Sequence, residues 1–460
     1  MQHTEDTKND LSTKGMLLLA LPSLPLGLTH GPSTSILATL YVSHFGLSFA
    51  TVGMVLLIAR LFDAITDPLI GYYSDKTKST WGKRKPFVLV GALVITVAIY
   101  FVFLPPENPS MLYFLGWYIF LYLGWTIMEI PLSAWASEVT SSNAGRVKVF
   151  MFRAMMLSAG GVLVFAVPFL PIFETSEITP EAFNMMGLIG IVLIPLFTII
   201  ALRYVPQGKE LGVKNQTGLM DFFKSVKNNP PFLFFVVTSL LYGFGVGIYY
   251  ILSFLFFTQI LGFVEGFAVI AAVSIAAGIP AFYFWKKVSD RIGTKYMCAI
   301  SNFAAAICLF SILFIPPGKE NFILALVIII IATIAISGWN VGVGPLLAQT
   351  ADYDLLKTGV DRLGKYFSFQ AFAGKLTFGA ASGVAFTLVG LFDYDGTHGA
   401  TNTPEAIAGF KFIMIGIPVI LTTICGFLLL KFPIDTRKHV IIRKRIESRA
   451  KRNKRDESVI

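Results

Sequence analysis

The stretch RLFDAITDPLIGYYSDKTKSTWGKRKP, residues 60–86, contains the features that decide the fold. It begins inside the apolar run TVGMVLLIARLF and ends in a strongly basic connection. Two aspartates four residues apart, Asp63 and Asp67, lie in its apolar part, where a lipid-embedded helix normally has no charge. The first question is therefore why a membrane-spanning segment would hold two carboxylates.

The composition indicates a polytopic membrane protein. Of 460 residues, 55% are hydrophobic and only 14% are charged, whereas soluble domains use about 25% charged residues. The net charge of +10 comes from short basic clusters between apolar runs and from the C-terminal tail, which suits solvated loops beside an anionic leaflet. Because no basic fold motif accompanies this charge, a nucleic-acid partner is not expected.

Apolar runs long enough to cross a bilayer recur along most of the chain. A hydrocarbon core about 30 Å thick needs about 20 apolar residues per helix. We predict an all-α membrane protein with twelve transmembrane helices, at 16–43, 48–73, 87–105, 111–138, 147–172, 183–203, 232–261, 265–286, 296–316, 321–349, 365–391 and 406–431. Gly and Pro residues in LALPSLPLGLTHGPS and GWNVGVGPL predict interruptions of the first and tenth spans, which are either cavity-lining breaks or ordinary kinks.

The distribution of Lys and Arg orients these spans. The basic residues fill the even-to-odd connections, so the positive-inside rule places both termini in the cytoplasm. The longest basic connection follows the sixth span and divides the chain into two six-helix bundles, an arrangement that binds substrate between the halves near the bilayer midplane. The predicted units are a tail (1–15), the first bundle (16–204), a linker (205–231), the second bundle (232–432) and a basic tail (433–460).

The two aspartates of the second span predict a cation site. At i and i+4 they lie on one helix face, about 6 Å apart along the axis. Two carboxylates this close in a low dielectric cannot both stay ionised without a cation or a proton between them. The alternative is that Asp67 caps a kink at Pro68 while Asp63 pairs with Arg60 one turn away.

Two further polar positions lie deep in predicted spans. In the fourth span, Thr126 and Glu129 share a face and offer oxygen ligands to a sodium ion or a place for a proton, although Glu129 could instead form an interhelical salt bridge. In the second half, Lys375 is the strongest candidate to pair with the carboxylates of the first half. Its alternative is to extend toward a membrane interface.

These motifs resemble those of the glycoside–pentoside–hexuronide cation symporters of the major facilitator superfamily, over all twelve spans. DAITDPLIG and SDKTKSTWGKRKP are similar to the second helix and following loop of that family. The resemblance implies that Asp63, Asp67, Thr126 and Glu129 bind the coupling cation, sodium or proton, with Glu129 replacing an aspartate. It also implies a monomeric transporter without another cofactor.

The resemblance extends to substrate-binding positions. Arg153 matches a fifth-helix arginine that holds sugar, Lys375 matches an eleventh-helix lysine, and ADYD, Ala351–Asp354, matches a signature at the end of the tenth helix. The sugar permeases have a first-helix aspartate where this chain has Gly27. Because Arg153 and Lys375 would then give the cavity positive character, we expect a uronate or another modified glycoside to be preferred over neutral galactosides.

Other polar and aromatic residues are candidates to replace the missing carboxylate, although each alone is better explained by packing. The additional substrate contacts we predict are His30, Trp125, Trp339 and Asn340.

Charges at the cytoplasmic ends of the helices predict a gate. The basic connection Lys76–Lys85, with Arg146, would pair with acidic side chains at a closing surface, unless these charges serve only to set topology. The predicted gating residues are Arg60, Asp75, Arg84, Glu138, Arg146 and Asp352.

Three function classes follow from these observations. The first is cation-coupled symport of a sugar, glycoside or uronate across a cell membrane, such as a bacterial inner membrane. The second is transport of a lysolipid or another amphiphile by the same fold. An enzyme is not expected, because the sequence lacks HExxH, GxSxG and P-loop patterns.

Overall fold

The computed structural model describes residues 11–34, 36–77, 79–140, 143–208, 227–360, 362–397 and 399–457. Within these ranges the side chains of residues 30–34, 143, 144, 146, 147, 447 and 450–457 are not described. The regular structure is helical. The helices are α1 (Thr13–Ala20), α2 (Ser23–Thr34), α3 (Ile36–Ser43), α4 (Phe49–Lys76), α5 (Lys85–Phe103), α6 (Met111–Glu138), α7 (Asn143–Val164), α8 (Pro180–Tyr204), α9 (Pro230–Leu255), α10 (Phe267–Ile292), α11 (Thr294–Ser311), α12 (Phe322–Thr358), α13 (Leu363–Leu391), α14 (Pro404–Lys411), α15 (Ile417–Leu430) and α16 (Thr436–Glu457).

The helices agree with the predicted twelve-span architecture. In the described ranges, ten helical segments are long and apolar enough to cross a membrane, and each corresponds to one predicted span. The fifth predicted span is α7, which carries Arg146, Lys148 and Arg153 and is therefore less apolar than the others. The first predicted span contains α1, α2 and α3, and Ser35, between α2 and α3, lies outside the described residues. The C-terminal tail, predicted only as basic, forms the helix α16.

The two predicted interruptions have different outcomes. The first span turns at Leu21 and Pro22, where α1 ends and α2 begins. The tenth span continues as the single helix α12, which contains Pro345 and ends at Gly359, whose φ is +75°. Of the two alternatives predicted for this span, the structure excludes a break and leaves a kink. Its glycines provide close packing instead, because a Cβ on Gly342 would lie 1.9 Å from the sulfur of Cys298. The signature ADYD consequently lies inside α12.

The two halves of the molecule meet along two pairs of helices, α4 with α13 and α7 with α10. At the end opposite the basic connections these pairs pack closely. A Cβ on Gly53 of α4 would lie 3.0 Å from the carbonyl oxygen of Gly383 of α13. On the other pair, the rings of Phe165 and Phe267 are 6.2 Å apart. The two halves are therefore in contact at this end of the interface.

The same helices separate toward the end that carries the basic connections. There α13 exposes most of residues 363–374. A Cβ added to Gly364 or Gly374 of α13, or to Gly278 of α10, would meet no atom within 4 Å. The structure is therefore a two-bundle architecture in which α10 and α13 are packed less closely toward the basic-loop end.

Candidate functional site

Two carboxylates and one hydroxyl converge where α4 packs against α6. The hydroxyl Oγ1 of Thr126 lies 2.6 Å from Oδ1 of Asp63 and 3.0 Å from Oδ1 of Asp67. Thr126 and Asp63 are almost fully buried. A hydroxyl has a single proton, so Thr126 donates to one carboxylate at a time. The position between the oxygens of these three side chains therefore favours a positively charged group.

Lys375 of α13 supplies that charge from the other half of the molecule. Its Nζ donates to Oδ2 of Asp67 and lies 3.4 Å from Oδ2 of Asp63. Arg60 adds a second cation, because its NH1 is 3.8 Å from Oδ2 of Asp63. The helices approach closely here, since a Cβ on Gly379 would lie 2.3 Å from Cβ of Arg60. The ion-pair cluster therefore joins the two bundles.

Glu129 lies in a different cluster from the aspartates. Its two carboxylate oxygens accept hydrogen bonds from NH2 of Arg153 at 2.6 and 2.8 Å. NH1 of Arg153 donates to Ser133, and its Nε is 3.4 Å from the hydroxyl of Ser23. Within the described ranges no group of three His, Cys, Asp or Glu side chains is placed to hold a metal ion. The structure therefore gives Glu129 the interhelical salt bridge that was the alternative to cation binding.

Gly27 is a packing residue and not an emptied ligand position. A Cβ on Gly27 would lie 2.0 Å from the carbonyl oxygen of Leu157 in α7. On the other side of this contact, a Cβ on Gly160 would lie 1.9 Å from the carbonyl oxygen of Leu24. No carboxylate fits at Gly27 unless α2 and α7 move apart. Gly27 therefore serves the packing of α2 against α7, and the preference for a uronate that was predicted from its missing carboxylate stays a prediction.

The predicted ring-binding residues have different locations. Trp339 is 5% exposed and stacks on Tyr242 at 4.7 Å, so it belongs to the core of the second bundle and is not available to a ligand. Asn340 is exposed on α12. Trp125 is half-buried and packs against the core. The side chain of His30 lies outside the described residues.

A cavity that the sequence did not reveal lies between α7, α9, α10, α12 and α13. Its volume is about 290 Å³, at the lower end of small-ligand sites. Tyr250, Ser274, Thr333 and Phe378 are among its lining residues. The buried hydroxyl of Ser274 has no hydrogen-bond partner in the described part of the chain. Phe378 connects this cavity to the ion-pair cluster, because the guanidinium of Arg60 lies 5.5 Å from its ring.

Three of the predicted gating residues form a cluster within the first bundle. Arg84 donates to Glu138 at 2.6 Å and to the hydroxyl of Ser74 at 2.8 Å, and it lies 2.6 Å from Asp75. Burial lowers the pKa of Arg84, but its bonds to Glu138 and Asp75 outweigh burial and raise that pKa overall. The side chain of Arg146 lies outside the described residues.

Asp352 binds the C-terminal helix. Its Oδ2 lies 2.8 Å from both Nε2 of His439 and Nε of Arg443 on α16. Asp354, two residues further in the same signature, binds NH1 of Arg362 at 3.0 Å. Sequence reasoning missed these contacts because it treated the tail only as a basic segment and did not place it as a helix against α12.

Fold and site together define a helical secondary transporter, and comparison with known proteins identifies its family. Residues 18–436 match the family described as MFS/sugar transport protein. The chain belongs to this family, and it is a multi-pass membrane transporter and not an enzyme.

Similar curated proteins cover nearly the whole chain. The uncharacterized symporter YnaJ of Bacillus subtilis (strain 168) is 26% identical, covering 89% of each chain. The glucuronide carrier protein homolog of Escherichia coli (strain K12) is 24% identical over 90% of this chain and 91% of that protein. The isoprimeverose transporter of Lactiplantibacillus pentosus is 22% identical, over 86% and 83%.

Solved structures support the fold. A D-xylose-proton symporter has a TM-score of 0.66 and 16% identity, covering 93% of this chain and 97% of that one. A bacterial homolog of the human lysosomal transporter Spinster has a TM-score of 0.68 and 16% identity, covering 93% and 98%. The chain therefore has the major facilitator superfamily fold.

Proposed function

We propose that the protein couples inward movement of sodium or protons to uptake of a sugar, either a glycoside or a uronate. The observation that carries this proposal is the convergence of Asp63, Asp67 and Thr126 beneath Lys375. Relatives named as symporters and as carriers of isoprimeverose and glucuronide support a sugar over a lysolipid cargo. We further propose that the basic-loop end and both termini face the cytoplasm.

The coupling cation would bind between the two carboxylates and the Thr126 hydroxyl. Oxygen atoms are the ligands that sodium uses in proteins, and a proton on one carboxylate would relieve the same repulsion. In the structure, Lys375 and Arg60 balance the charge of the two aspartates. An arriving cation competes with Lys375 and weakens its bond to Asp67.

This competition couples the ion to the conformational change between the two halves. Lys375 belongs to α13 and the aspartates belong to α4, so their bond holds the second bundle to the first. A cation shifts the conformational equilibrium only if it binds one state more tightly than the other. When a cation within one bundle replaces the bond between the bundles, the two states differ in their affinity for the cation. The same replacement frees the Lys375 ammonium to donate to a sugar hydroxyl.

The central charges are balanced before a cation binds. Arg60, Arg153 and Lys375 are matched by the three acidic side chains Asp63, Asp67 and Glu129, so the six ionised groups sum to zero. A bound sodium ion or proton would bring this sum to +1, and a uronate bound with it would then be compensated. A neutral glycoside and a uronate are therefore both candidate cargoes.

The 290 Å³ cavity is our proposed sugar site. Aromatic rings such as Tyr250 and Phe378 offer faces for the apolar side of a sugar ring, while Thr333 and Ser274 offer hydroxyls. An unsatisfied buried hydroxyl costs about 1–3 kcal/mol, and a sugar hydroxyl would restore the bond that Ser274 lacks.

The coupling proposal is tested by uptake into vesicles that contain the full chain. Labelled neutral glycosides and labelled glucuronides are offered under an imposed sodium gradient, a proton gradient or neither. We expect uphill accumulation of one of these sugars with one of the two gradients. Equal uptake with and without both gradients would contradict symport, and the sugar that accumulates identifies the substrate class.

The sugar site is tested separately with Ser274→Ala. We expect a weaker apparent affinity for the transported glycoside, since the ligand loses a buried hydrogen bond. Ser253→Ala is the matched control, because Ser253 lines the same cavity but its hydroxyl already donates to the carbonyl oxygen of Tyr250 at 2.8 Å. Equal effects of the two substitutions would exclude Ser274 as a specific contact.

A further inference from the structure

A second cavity lies away from the transport path, on the outer flank of the first bundle at the basic-loop end. Its volume is about 460 Å³, and it lies where the first turn of α5 meets the last turn of α8. Lys85 and Arg203 provide two positive charges to its lining, Trp81 provides an exposed ring, and the lining contains no acidic residue. The cavity is thus suited to an anion.

Lys85 and Arg203 both have hydrogen-bond donors that are available to a ligand. Nζ of Lys85 donates to the carbonyl oxygens of Leu202 and Val205 at 2.9 and 2.7 Å, which uses two of the three donors of an ammonium group. The exposed guanidinium of Arg203 forms no hydrogen bond or ion pair with any residue that the structure describes. Gln207, also in the lining, donates to the carbonyl oxygen of Thr80 at 2.9 Å and fixes the loop that carries Trp81.

An apolar surface continues from this cavity along the bundle. On α8, Ile199, Leu196 and Val192 are exposed at three- and four-residue spacing and form one stripe. On α5, Leu89 lines the cavity and Leu93, one turn further, is exposed. These side chains face away from the core of a membrane-spanning bundle, so they contact lipid chains.

The ends of both helices also have the composition of a membrane interface. Trp81 is 60% exposed and Tyr204 is 68% exposed, and such rings concentrate at the level of lipid headgroups. A cationic cavity at headgroup level, continuous with an apolar stripe, matches the two parts of one phospholipid molecule.

We propose that this cavity binds the phosphate headgroup of an anionic phospholipid, with its acyl chains along the stripe of α8 and α5. The headgroup phosphate accepts hydrogen bonds from Arg203 and Lys85, and its glycerol lies beside Trp81. The lipid contacts both the loop before α5 and the end of α8, and it therefore holds these two segments together. The loop before α5 ends at Arg84, which belongs to the gating cluster.

Quenching of tryptophan fluorescence tests the site. The full chain is reconstituted in phosphatidylcholine vesicles with increasing brominated phosphatidylglycerol, and the difference between wild type and Trp81→Phe isolates the signal of Trp81. We expect Arg203→Gln to weaken the apparent affinity by roughly fivefold, the effect of one charge at an anionic surface. Lys287→Gln is the matched control, because Lys287 is exposed at the same end of the molecule beside the ring of Tyr283 but lies outside the cavity.

Three results would overturn the proposal. If quenching in Arg203→Gln were the same as in the wild type, the guanidinium of Arg203 would not contribute to lipid binding. Equal quenching by brominated phosphatidylcholine would show that the headgroup charge is not recognised. Displacement of the brominated lipid by soluble glycerol phosphate would assign the cavity to a free phosphate ester. Because Arg203 is exposed and makes no described contact, its substitution leaves the folded protein available for each measurement.

Discussion

Replacing Thr126 by Val tests the cation site with the least disturbance of the fold. The two side chains have nearly the same shape, so the substitution removes the hydroxyl that lies 2.6 Å from Asp63 and 3.0 Å from Asp67. Thr126 is fully buried, so water does not replace the lost oxygen. We expect a higher cation concentration for half-maximal uptake, with little change at saturation.

The size of the effect follows from the hydrogen-bond partners. A hydrogen bond to a charged group contributes about 1.5–3 kcal/mol, which corresponds to about 10- to 150-fold in affinity. The hydroxyl also donates a hydrogen bond to the carboxylates when no cation is bound, so part of the loss in cation affinity cancels. We therefore expect the lower end of this range, about tenfold. The assay is uptake of the transported glycoside as a function of sodium concentration or external pH, whichever drives accumulation.

Two variants control this measurement. Thr126→Ser restores the hydroxyl and should recover most of the cation affinity. Thr198→Val makes the same change at another fully buried position of the first bundle, where the hydroxyl has no described partner, and should leave affinity unchanged. If Thr126→Val retained wild-type cation dependence in a protein of wild-type thermal stability, Thr126 would not be a ligand.

Three further predictions concern charge, packing and gating. Asp63→Asn and Asp67→Asn should each abolish uphill accumulation without unfolding the protein, and retained accumulation in both variants would reject the site. Gly27→Ala should lower the melting temperature, because overpacking costs about 1–3 kcal/mol, whereas Gly116→Ala, which meets open space, should not. Asp75→Ala should change the ratio of inward- to outward-facing states, measured from distances between spin labels, by roughly fivefold or less; no change would remove Asp75 from the gate.

The sequence predicted those features that depend on composition along one helix. Apolar length located the spans, and the i, i+4 spacing of Asp63 and Asp67 placed two charges on one face of α4. The depth of Thr126 and Lys375 in predicted spans marked them as candidates, and the structure brings both to these aspartates. Each of these predictions needed only the spacing of residues along one helix, or one positive charge in the half opposite the aspartates.

The tertiary structure decided the features that depend on how helices are rotated and packed against each other. Glu129 and Thr126 are three residues apart on α6, yet Glu129 turns to Arg153 of α7 while Thr126 meets the aspartates of α4. Gly27 lies against the α7 backbone, a contact that hydropathy does not encode. An i, i+3 spacing shows that two side chains share a broad face, but the neighbouring helix that each one meets is set by packing.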